Sequence, residues 1–244
     1  NIYQQLTLDC QSQTPPISDM TGIEDFVDLD YLNCFLNNIT ILDLSDNTAL
    51  DKVQCSNNIL TSIDLTQNTL LTNFECAWNN LLTIDLSQNI LLKHCRCHRN
   101  NLTGLNISAN TVLEYLGCHN NDIQSLDVSS NTLLWHLTCS YNLLTSLDVS
   151  NNLALTFLNL SYNNLTSLDV SANVLLNYLK TYHNVNLAAI DLGEDIDLTT
   201  LTLDTISCHA NLEISVGTSS RVTLANSLFT VANNSISSGT TFII

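Results

Sequence analysis

Leucine and other apolar residues recur along this chain with a period of 21 residues, and polar residues keep fixed positions between them. Residues 134–154 show one period, which reads L-x-x-L-x-C-x-x-N-x-L-x-x-L-D-V-S-x-N-x-x. Apolar and polar positions alternate around Cys139 and again around Asp148, which predicts two short extended segments per period rather than a long helix. Since one such unit cannot bury its apolar side alone, the repeat predicts a solenoid of stacked coils.

Four sets of residues share the 21-residue spacing, and their agreement over about eight periods defines the repeat. The Asp set is Asp43, Asp64, Asp85, Asp127, Asp148, Asp169 and Asp191, with Asn106 in the one gap and one extra residue before Asp191. The Cys set is Cys34, Cys55, Cys76, Cys97, Cys118 and Cys139, continued by Leu160 and Thr181. The two Asn sets are Asn37, Asn58, Asn79, Asn100, Asn121, Asn142, Asn163 and Asn184, and Asn47, Asn68, Asn89, Asn110, Asn131, Asn152 and Asn173.

Strand alternation assigns a direction to each position of the repeat. It predicts that Leu137 and Cys139 face inward, and that Thr138 and Ser140 face outward. We expect the Asn sets to turn inward at the bends and to bond backbone groups there, because a buried polar group without a partner costs about 1–3 kcal/mol.

The first eleven residues of the 134–154 segment resemble the leucine-rich repeat signature, L-x-x-L-x-L/C-x-x-N-x-L. The second half repeats that pattern and is similar to the 21-residue nested bacterial class called IRREKO. The resemblance covers residues 29–197. It implies a β-rich solenoid, a right-handed coil with a parallel sheet on one face, short extended segments on the other and little helix. We expect an N-terminal cap over 1–28, eight repeats over 29–197, and a degenerate repeat with a C-terminal cap over 198–244.

The excess of acidic over basic residues limits the classes of partner that the chain can bind. Lys and Arg number 6 against 23 Asp and Glu, which gives a formal charge of −17. Such a surface repels nucleic-acid phosphates and anionic membranes, and no apolar run approaches the ~18 residues of a membrane span. We therefore expect no nucleic-acid partner and no membrane insertion. Asn1 begins no basic-then-apolar leader, so we expect a mature or trimmed product. The resemblance implies a bacterial protein that is secreted or held at the cell surface.

Nine cysteines invite a metal or redox interpretation. Six of them occupy one inward set, and Cys95 takes a Leu position, so a small apolar filler explains seven. The states of Cys10 and Cys208, in the two caps, stay open. The segment His94-Cys95-Arg96-Cys97-His98 looks like a zinc site, but alternation sends its histidines and cysteines to opposite faces. A surface metal pair at His98 and His119 is the weaker alternative, and we expect no metal and no cofactor.

The Asp set places carboxylates about 4.8 Å apart on one side of the coil. One interpretation is that each Asp accepts hydrogen bonds from the turn amide and the Ser or Thr hydroxyl that follow it. The other is a row of calcium sites, since hard cations prefer clustered oxygens. No catalytic motif of the G-x-S-x-G, H-E-x-x-H or phosphate-loop type occurs, and inward cysteines cannot pair with outward histidines, so we expect no enzyme.

The unusual side chains concentrate on the outward positions beside the Cys strands. These positions hold both Trp, six of seven Tyr, five of six His and five of the six Lys and Arg, whereas the opposite face repeats Thr, Ser, Asp, Asn and Gln. Exposed aromatic and basic clusters are typical of binding surfaces. The predicted ligand-binding residues are Trp78, Lys93, His94, Arg96, His98, Arg99, Tyr115, His119, Trp135, His136, Tyr141 and Tyr162.

Within this face, Trp78, Arg99, Tyr141 and Tyr162 share one repeat position and form its predicted aromatic edge. The sequence also predicts a basic spot that receives a carboxylate or sulfate, with binding that changes between about pH 5 and 7.5 as histidines titrate. Its residues are Lys93, Arg96, His98, Arg99 and His119.

Leucine-rich repeat proteins characteristically bind partners through the strand face, so the resemblance implies a non-catalytic extracellular module that recognises a protein. The alternatives are a carbohydrate-binding module for an acidic polysaccharide, and a passive adhesin or spacer stalk that closes its aromatic face by self-association. A ladder of stacked aromatics that only stiffens the sheet is the remaining interpretation.

Overall fold

The structure is a computed structural model that describes residues 6–194, 202–204 and 213–215. The chain folds into two compact units, and the boundary between them lies between Asp122 and Ile123. Both consist of coils in which very short strands alternate with bends, and the described residues contain a single short 3-10 helix, Ile23–Asp25. No helix among the described residues is long and apolar enough to cross a membrane.

In the first unit, six parallel strands pair in chain order, each contributed by one coil. From β2 onward the partners keep one register, so that Tyr31, Lys52 and Asn73 lie side by side on neighbouring strands. The strands are β1 (Leu6–Asp9), β2 (Leu29–Asn33), β3 (Lys52–Gln54), β4 (Asn73–Glu75), β5 (His94–Arg96) and β6 (Tyr115–Gly117).

In the second unit, strands form on both sides of the coil. One parallel sheet contains β7 (His136–Thr138), β8 (Phe157–Asn159), β10 (Tyr178–Lys180) and β12 (Thr202–Asp204). The other contains β9 (Ser167–Asp169), β11 (Ala189–Asp191) and β13 (Glu213–Ser215). The expected solenoid, with a parallel sheet on one side, extended segments on the other and little helix, is confirmed.

The apolar positions of the repeat form the core. Leu137 is fully buried, Cys139 is 1% exposed and Thr138 is half-buried, as alternation predicts. Ser140 was predicted to face outward, but it is only 5% exposed. Its counterparts in other coils, Ala77 and Ser161, are also buried, with exposures of 3% and 0%. The chain bends directly after this position, and a side chain of one or two heavy atoms there does not extend past the surrounding backbone.

The first Asn set bonds each coil to the coil before it. The Asn79 amide nitrogen donates to the carbonyl of Cys76 in its own coil and to that of Cys55 one coil earlier, at 3.1 and 3.0 Å. Its carbonyl oxygen accepts from the Leu60 amide of the earlier coil at 2.9 Å. The same three bonds recur at Asn58 and Asn163. Each such Asn therefore pairs one backbone amide and shares two backbone carbonyls with the neighbouring Asn of its set, since Asn58 also donates to Cys55 and Asn100 to Cys76.

The second Asn set acts at the opposite bend. The Asn89 amide nitrogen donates to the carbonyls of Leu65 and Asn68, at 3.0 and 2.9 Å, and Asn89 is fully buried. Both Asn sets thus turn inward and bond backbone groups, as predicted.

The segment before the first repeat joins the same scheme. Asn37 donates to the Cys10 carbonyl and accepts from the Ile17 amide, both at 2.9 Å, so residues around Cys10 occupy the place of a preceding coil. β1 also pairs with β2. The N-terminal cap expected over 1–28 and the repeats over 29–197 remain a proposed division. The C-terminal cap expected over 198–244 lies outside the described residues except for β12 and β13.

Replacing Asn79 with alanine should destabilise the chain strongly, because Leu60, Cys55 and Cys76 would each lose a buried hydrogen-bond partner. We expect a loss of about 3 kcal/mol in the free energy of unfolding, measured from urea unfolding followed by circular dichroism. The neighbouring Asn80 has an exposed side chain, so Asn80→Ala is the matched control and should leave the midpoint unchanged. Equal midpoints for the two variants would contradict the proposed role of the Asn79 amide.

Candidate functional site

The predicted aromatic edge lies at the bend that follows each sheet strand, and every residue of this position has a left-handed backbone. The φ angles lie between 53° and 58°. The residues are Leu36, Asn57, Trp78, Arg99 and Asn120 in the first unit, and Tyr141, Tyr162 and His183 in the second. Asn tolerates this conformation, whereas Trp, Arg, Tyr and His have a cost of about 1–2 kcal/mol each. Sequence analysis missed the left-handed bend, and no glycine marks it.

Trp78 and Arg99 are neighbours at this bend. The Arg99 guanidinium carbon lies 4.0 Å from the centroid of the Trp78 ring, and both side chains are exposed, Trp78 by 48%. Within the described residues Arg99 makes no ion pair. A guanidinium held over an indole keeps N–H groups available at its edge, and these can bind carboxylate or sulfate with two hydrogen bonds.

The Arg96 charge, by contrast, is already matched. Arg96 forms an ion pair with Glu75 on the neighbouring strand β4, and its guanidinium carbon lies 4.7 Å from the centroid of the Tyr115 ring. Its partner position on β6 is Gly117, which has no side chain, so Arg96 can lie across that strand toward Tyr115. The open cations of the predicted basic spot are therefore Arg99 and the exposed Lys93.

His98 and His119 are stacked, with ring centroids 4.2 Å apart and planes inclined by 10°. Burial, followed by the nearby charges of Arg99 and Arg96, lowers the pKa of His98. Burial, His98 and Arg99 lower the pKa of His119 to about 4. Both rings are thus neutral at pH 7, and His119 does not titrate in the predicted window of about pH 5 to 7.5, which corrects that expectation. Stacked parallel rings also do not converge on one ion.

In the second unit, aromatic rings form two ladders. On the strand face His136 stacks on Phe157 at 4.2 Å, and Phe157 stacks on Tyr178 at 4.4 Å. Trp135 meets His136 edge-on at 5.3 Å. Phe157, which carries no polar group, lies in this ladder although it is not among the predicted binding residues.

The second ladder follows the bend. Tyr141 stacks on Tyr162 at 3.9 Å, and Tyr162 stacks on His183 at 4.2 Å. In each ladder the middle ring, Phe157 or Tyr162, is covered on both faces by its neighbours, so that it offers only its edge to a ligand.

The twelve predicted residues therefore fall into two groups. The first unit brings together Trp78, Arg99, His98 and His119, and separately Arg96 with Tyr115. His94 lies 6.3 Å from Tyr115, whereas the exposed Lys93 contacts none of these rings. The second unit holds the remaining four, Trp135, His136, Tyr141 and Tyr162, in or beside its ladders.

A further exposed feature of both units was not predicted. Apolar side chains that follow the second Asn set are 42–57% exposed at the turn that leads into the sheet. They are Leu70, Ile90 and Leu91 in the first unit, and Leu133, Leu153, Val174 and Leu175 in the second. The signal was present as paired apolar residues such as Leu91-Leu92, of which only Leu92 enters the core.

The cysteines of the inward set are buried free thiols. Burial raises the pKa of Cys34 and of Cys139 to about 12. The pKa of Cys97 is also raised, first by its hydrogen bond with Cys95 and then by burial. Such thiols are neutral fillers rather than nucleophiles. Cys10 is half-buried, and Cys208 lies outside the described residues.

The Asp set forms local turns. The Asp64 carboxylate accepts from the Thr66 amide at 2.9 Å and from the Thr66 hydroxyl at 2.7 Å, and these two bonds lower the pKa of Asp64. Asn106 accepts the same two bonds from Ser108. The Asn106 amide accepts these two bonds just as the Asp carboxylates do, so hydrogen bonding within each turn accounts for the Asp set. Among the described residues, no three His, Cys, Asp or Glu side chains converge where they could hold a metal ion.

Solved structures of leucine-rich repeat domains resemble this chain. The functional domain of InlJ from Listeria monocytogenes, which includes a cysteine ladder, aligns over 94% of this chain at 31% identity with a TM-score of 0.63. This chain covers 63% of that domain, less than two thirds of its length. Internalin C2 from the same bacterium aligns over 88% of this chain and 82% of its own at 17% identity, with a TM-score of 0.57.

The Arabidopsis receptor kinase HAESA, solved with the peptide hormone IDA and the co-receptor SERK1, aligns over 95% of this chain and 46% of its own. The identity is 17% and the TM-score 0.65. No protein-family model and no curated protein matches the sequence. The fold is that of leucine-rich repeat domains, and the solved neighbours include bacterial ones.

Native thiols should resist alkylation. Buried Cys34, Cys76 and Cys139 should stay unmodified by iodoacetamide at pH 8, whereas half-buried Cys10 should be modified first; peptide mass mapping of the labelled chain distinguishes them. The control is the same reaction in urea, where all nine cysteines should react. Rapid native labelling of Cys76 would contradict its placement in the core.

The lowered histidine pKa values should appear in a titration of the imidazole NMR signals. We expect His119 to titrate near pH 4 and His98 below its ordinary range, and Arg99→Gln should raise both values because it removes a nearby positive charge. Since the unfolded chain binds these protons at higher pH than the folded one, stability should fall as the pH drops from about 6.5 towards 4. An unshifted His119 would refute the stacked, desolvated pair.

Proposed function

We propose that this chain is a non-catalytic extracellular module of a bacterial leucine-rich repeat protein, in the 21-residue nested class, that binds a protein partner through the sheet face. The observation that carries the proposal is the Trp78–Arg99 pair. Its guanidinium lies 4.0 Å over an exposed indole, and its hydrogen-bond donors are open. Trp and Arg are the residue types that dominate binding energy at protein interfaces.

The backbone at this pair supports a role beyond folding. Asn57 and Asn120, on either side of the pair along the chain, have the same left-handed conformation, and Asn adopts it at little cost. Trp78 and Arg99 at the same bend therefore make the folded chain less stable than Asn at these positions would. Such residues are expected where a function other than stability selects them.

The likeness to leucine-rich repeat domains adds support. HAESA was solved with a peptide hormone and a co-receptor, and its fold resembles that of this chain. The InlJ domain is a bacterial relative in fold. Secretion or surface attachment, a bacterial source and a protein partner are parts of the same proposal.

The polysaccharide alternative has less support. Sugars bind by laying a ring face on an aromatic face, whereas the Tyr162 ring is covered on both faces, by Tyr141 and His183, at about 4 Å. Self-association of the aromatic face is the third interpretation, and the test below distinguishes it.

The proposal predicts that binders depend on Trp78 and Arg99. A displayed library of random peptides is panned on the full chain, and selected peptides are measured by fluorescence anisotropy. We expect Trp78→Ala and Arg99→Glu each to weaken binding at least about tenfold, which is the loss of one hot spot.

The matched control is Gln67→Glu combined with Gln88→Glu. It makes the same change of two charge units at exposed positions away from the sheet, and it should leave binding unchanged. Selected peptides that ignore both Trp78 and Arg99 would refute the proposal. Binding on a glycan array that requires Arg99 would favour the polysaccharide, and a dimer lost on Trp78→Ala would favour self-association.

A further inference from the structure

A second polar feature of the first unit lies outside the predicted binding residues. The first strands of the sheet form a cleft of about 280 Å³, lined by Asp30, Tyr31, Asp51, Lys52 and Gln54 among others. The Tyr31 hydroxyl donates to the Gln54 side-chain oxygen at 2.6 Å, which fixes one wall. The cleft is therefore a preformed polar depression on the sheet face.

The charge of the cleft is negative and incompletely matched. The side chain of Asp30 has no hydrogen bond or ion pair within the described residues, and there the Asp51 carboxylate accepts one hydrogen bond, from the Thr72 hydroxyl. Lys52 is exposed and makes no ion pair there, so the two carboxylates exceed the one ammonium. Burial, and then the charges of Asp9 and Glu75, raise the pKa of Tyr31, consistent with a negative potential on this part of the face.

The sign of the charge reverses along the same edge of the sheet. Asp51, Thr72 and Lys93 directly precede β3, β4 and β5, and Asp30, inside β2, holds the equivalent position on the coil before. A ladder of backbone hydrogen bonds joins them, from Asp51 to Asp30 at 2.9 Å, from Thr72 to Asp51 at 2.8 Å and from Lys93 to Thr72 at 2.9 Å. Glu114 follows on the next coil, so the one basic residue of this position lies between Thr72 and an acidic residue.

The distance between the acidic and basic residues at this repeat position favours one backbone conformation of the partner. Asp51 and Lys93 are two coils apart, which is about 9.6 Å at the usual strand spacing. A polyproline II helix has three residues per turn and repeats one face every ~9.3 Å. A β-strand repeats one face every ~6.7 or ~13 Å and does not match.

We propose that the cleft and Lys93 together bind a polyproline II segment of the partner. A Lys or Arg of that segment enters the cleft opposite Asp51, where Asp30 on the preceding coil adds to the negative potential, and an Asp or Glu three residues away pairs with Lys93. This inference rests on the proposed function, because it describes part of the same partner, but it uses residues at the opposite edge of the sheet from Trp78 and Arg99.

The test uses blocked synthetic peptides on one proline-rich scaffold, measured by fluorescence anisotropy at low salt against the full chain. The first carries Lys and Glu three residues apart, the second two Lys and the third two Glu at those positions. A fourth carries Lys and Glu two residues apart, which places them on different faces. We expect the first to bind about five- to tenfold more tightly than each of the others, as exposed ion pairs allow.

Charge reversal should transfer the preference. Lys93→Glu makes the column acidic and should favour the peptide with two Lys, whereas Asp30→Lys should favour the peptide with two Glu. Lys93 is exposed, and the half-buried Asp30 side chain makes no hydrogen bond or ion pair within the described residues, so thermal unfolding should match the unmodified chain. Unchanged preferences in the two variants, or equal affinity for the two spacings, would overturn the inference.

The outcomes separate the two proposals. If library peptides depend on Trp78 and Arg99 while the four scaffold peptides bind equally, only the polyproline inference fails. If neither set responds to any substitution on the sheet face, the proposed function fails as well. A concentration-dependent dimer in sedimentation, lost in both Lys93→Glu and Asp30→Lys, would assign the column to a second copy of this chain and overturn the inference.

Discussion

The coils depend on one side-chain amide per bend, which bonds two coils at once. Asn79 donates to Cys55 and Cys76 and accepts from Leu60, so three backbone groups on two coils converge on a single residue. Inserting or deleting a residue between neighbouring Asn would misplace all three partners. The 21-residue period is thus a hydrogen-bonding requirement as much as a packing one, because a misplaced Asn79 leaves the Leu60 amide unpaired and removes one of two donors from each carbonyl.

The same bend determines what the surface can present. The residue before the Asn has φ near +55°, which turns its side chain outward whatever its chemistry. Leu36, Trp78, Arg99 and Tyr162 accept the conformation because the Asn amide and the neighbouring coils hold the backbone in place. A rigid backbone with one outward position per coil, at which different residue types occur, is well suited to a binding surface. It fixes the spacing of anchors while leaving their chemistry open.

The repeat, the inward cysteines and the inward Asn sets were all predictable, because each depends on spacing and on strand alternation. What could not be predicted depends on the bend and on pairing. Ser140 is buried because the chain turns one residue later, and the left-handed bend has no glycine to announce it. The Arg96–Glu75 pair joins coils whose residues look equivalent in the sequence, and the neutral state of His119 follows from stacking and burial. The division into caps and the binding residues themselves remain predictions.

The charge distribution explains how an acidic chain could be selective. A body with a formal charge of −17 attracts any cationic partner to much of its surface, and such attraction accelerates encounter without choosing an orientation. Lys93 and Arg99 are local positive charges on the sheet face of this acidic chain. They attract a negative group of the partner only where they stand. A purely basic partner would meet repulsion there, whereas one carrying both signs is complementary in a single register. Selectivity on this surface therefore comes from the few positions that oppose the overall charge, since specificity requires an unfavourable contact with the wrong partner.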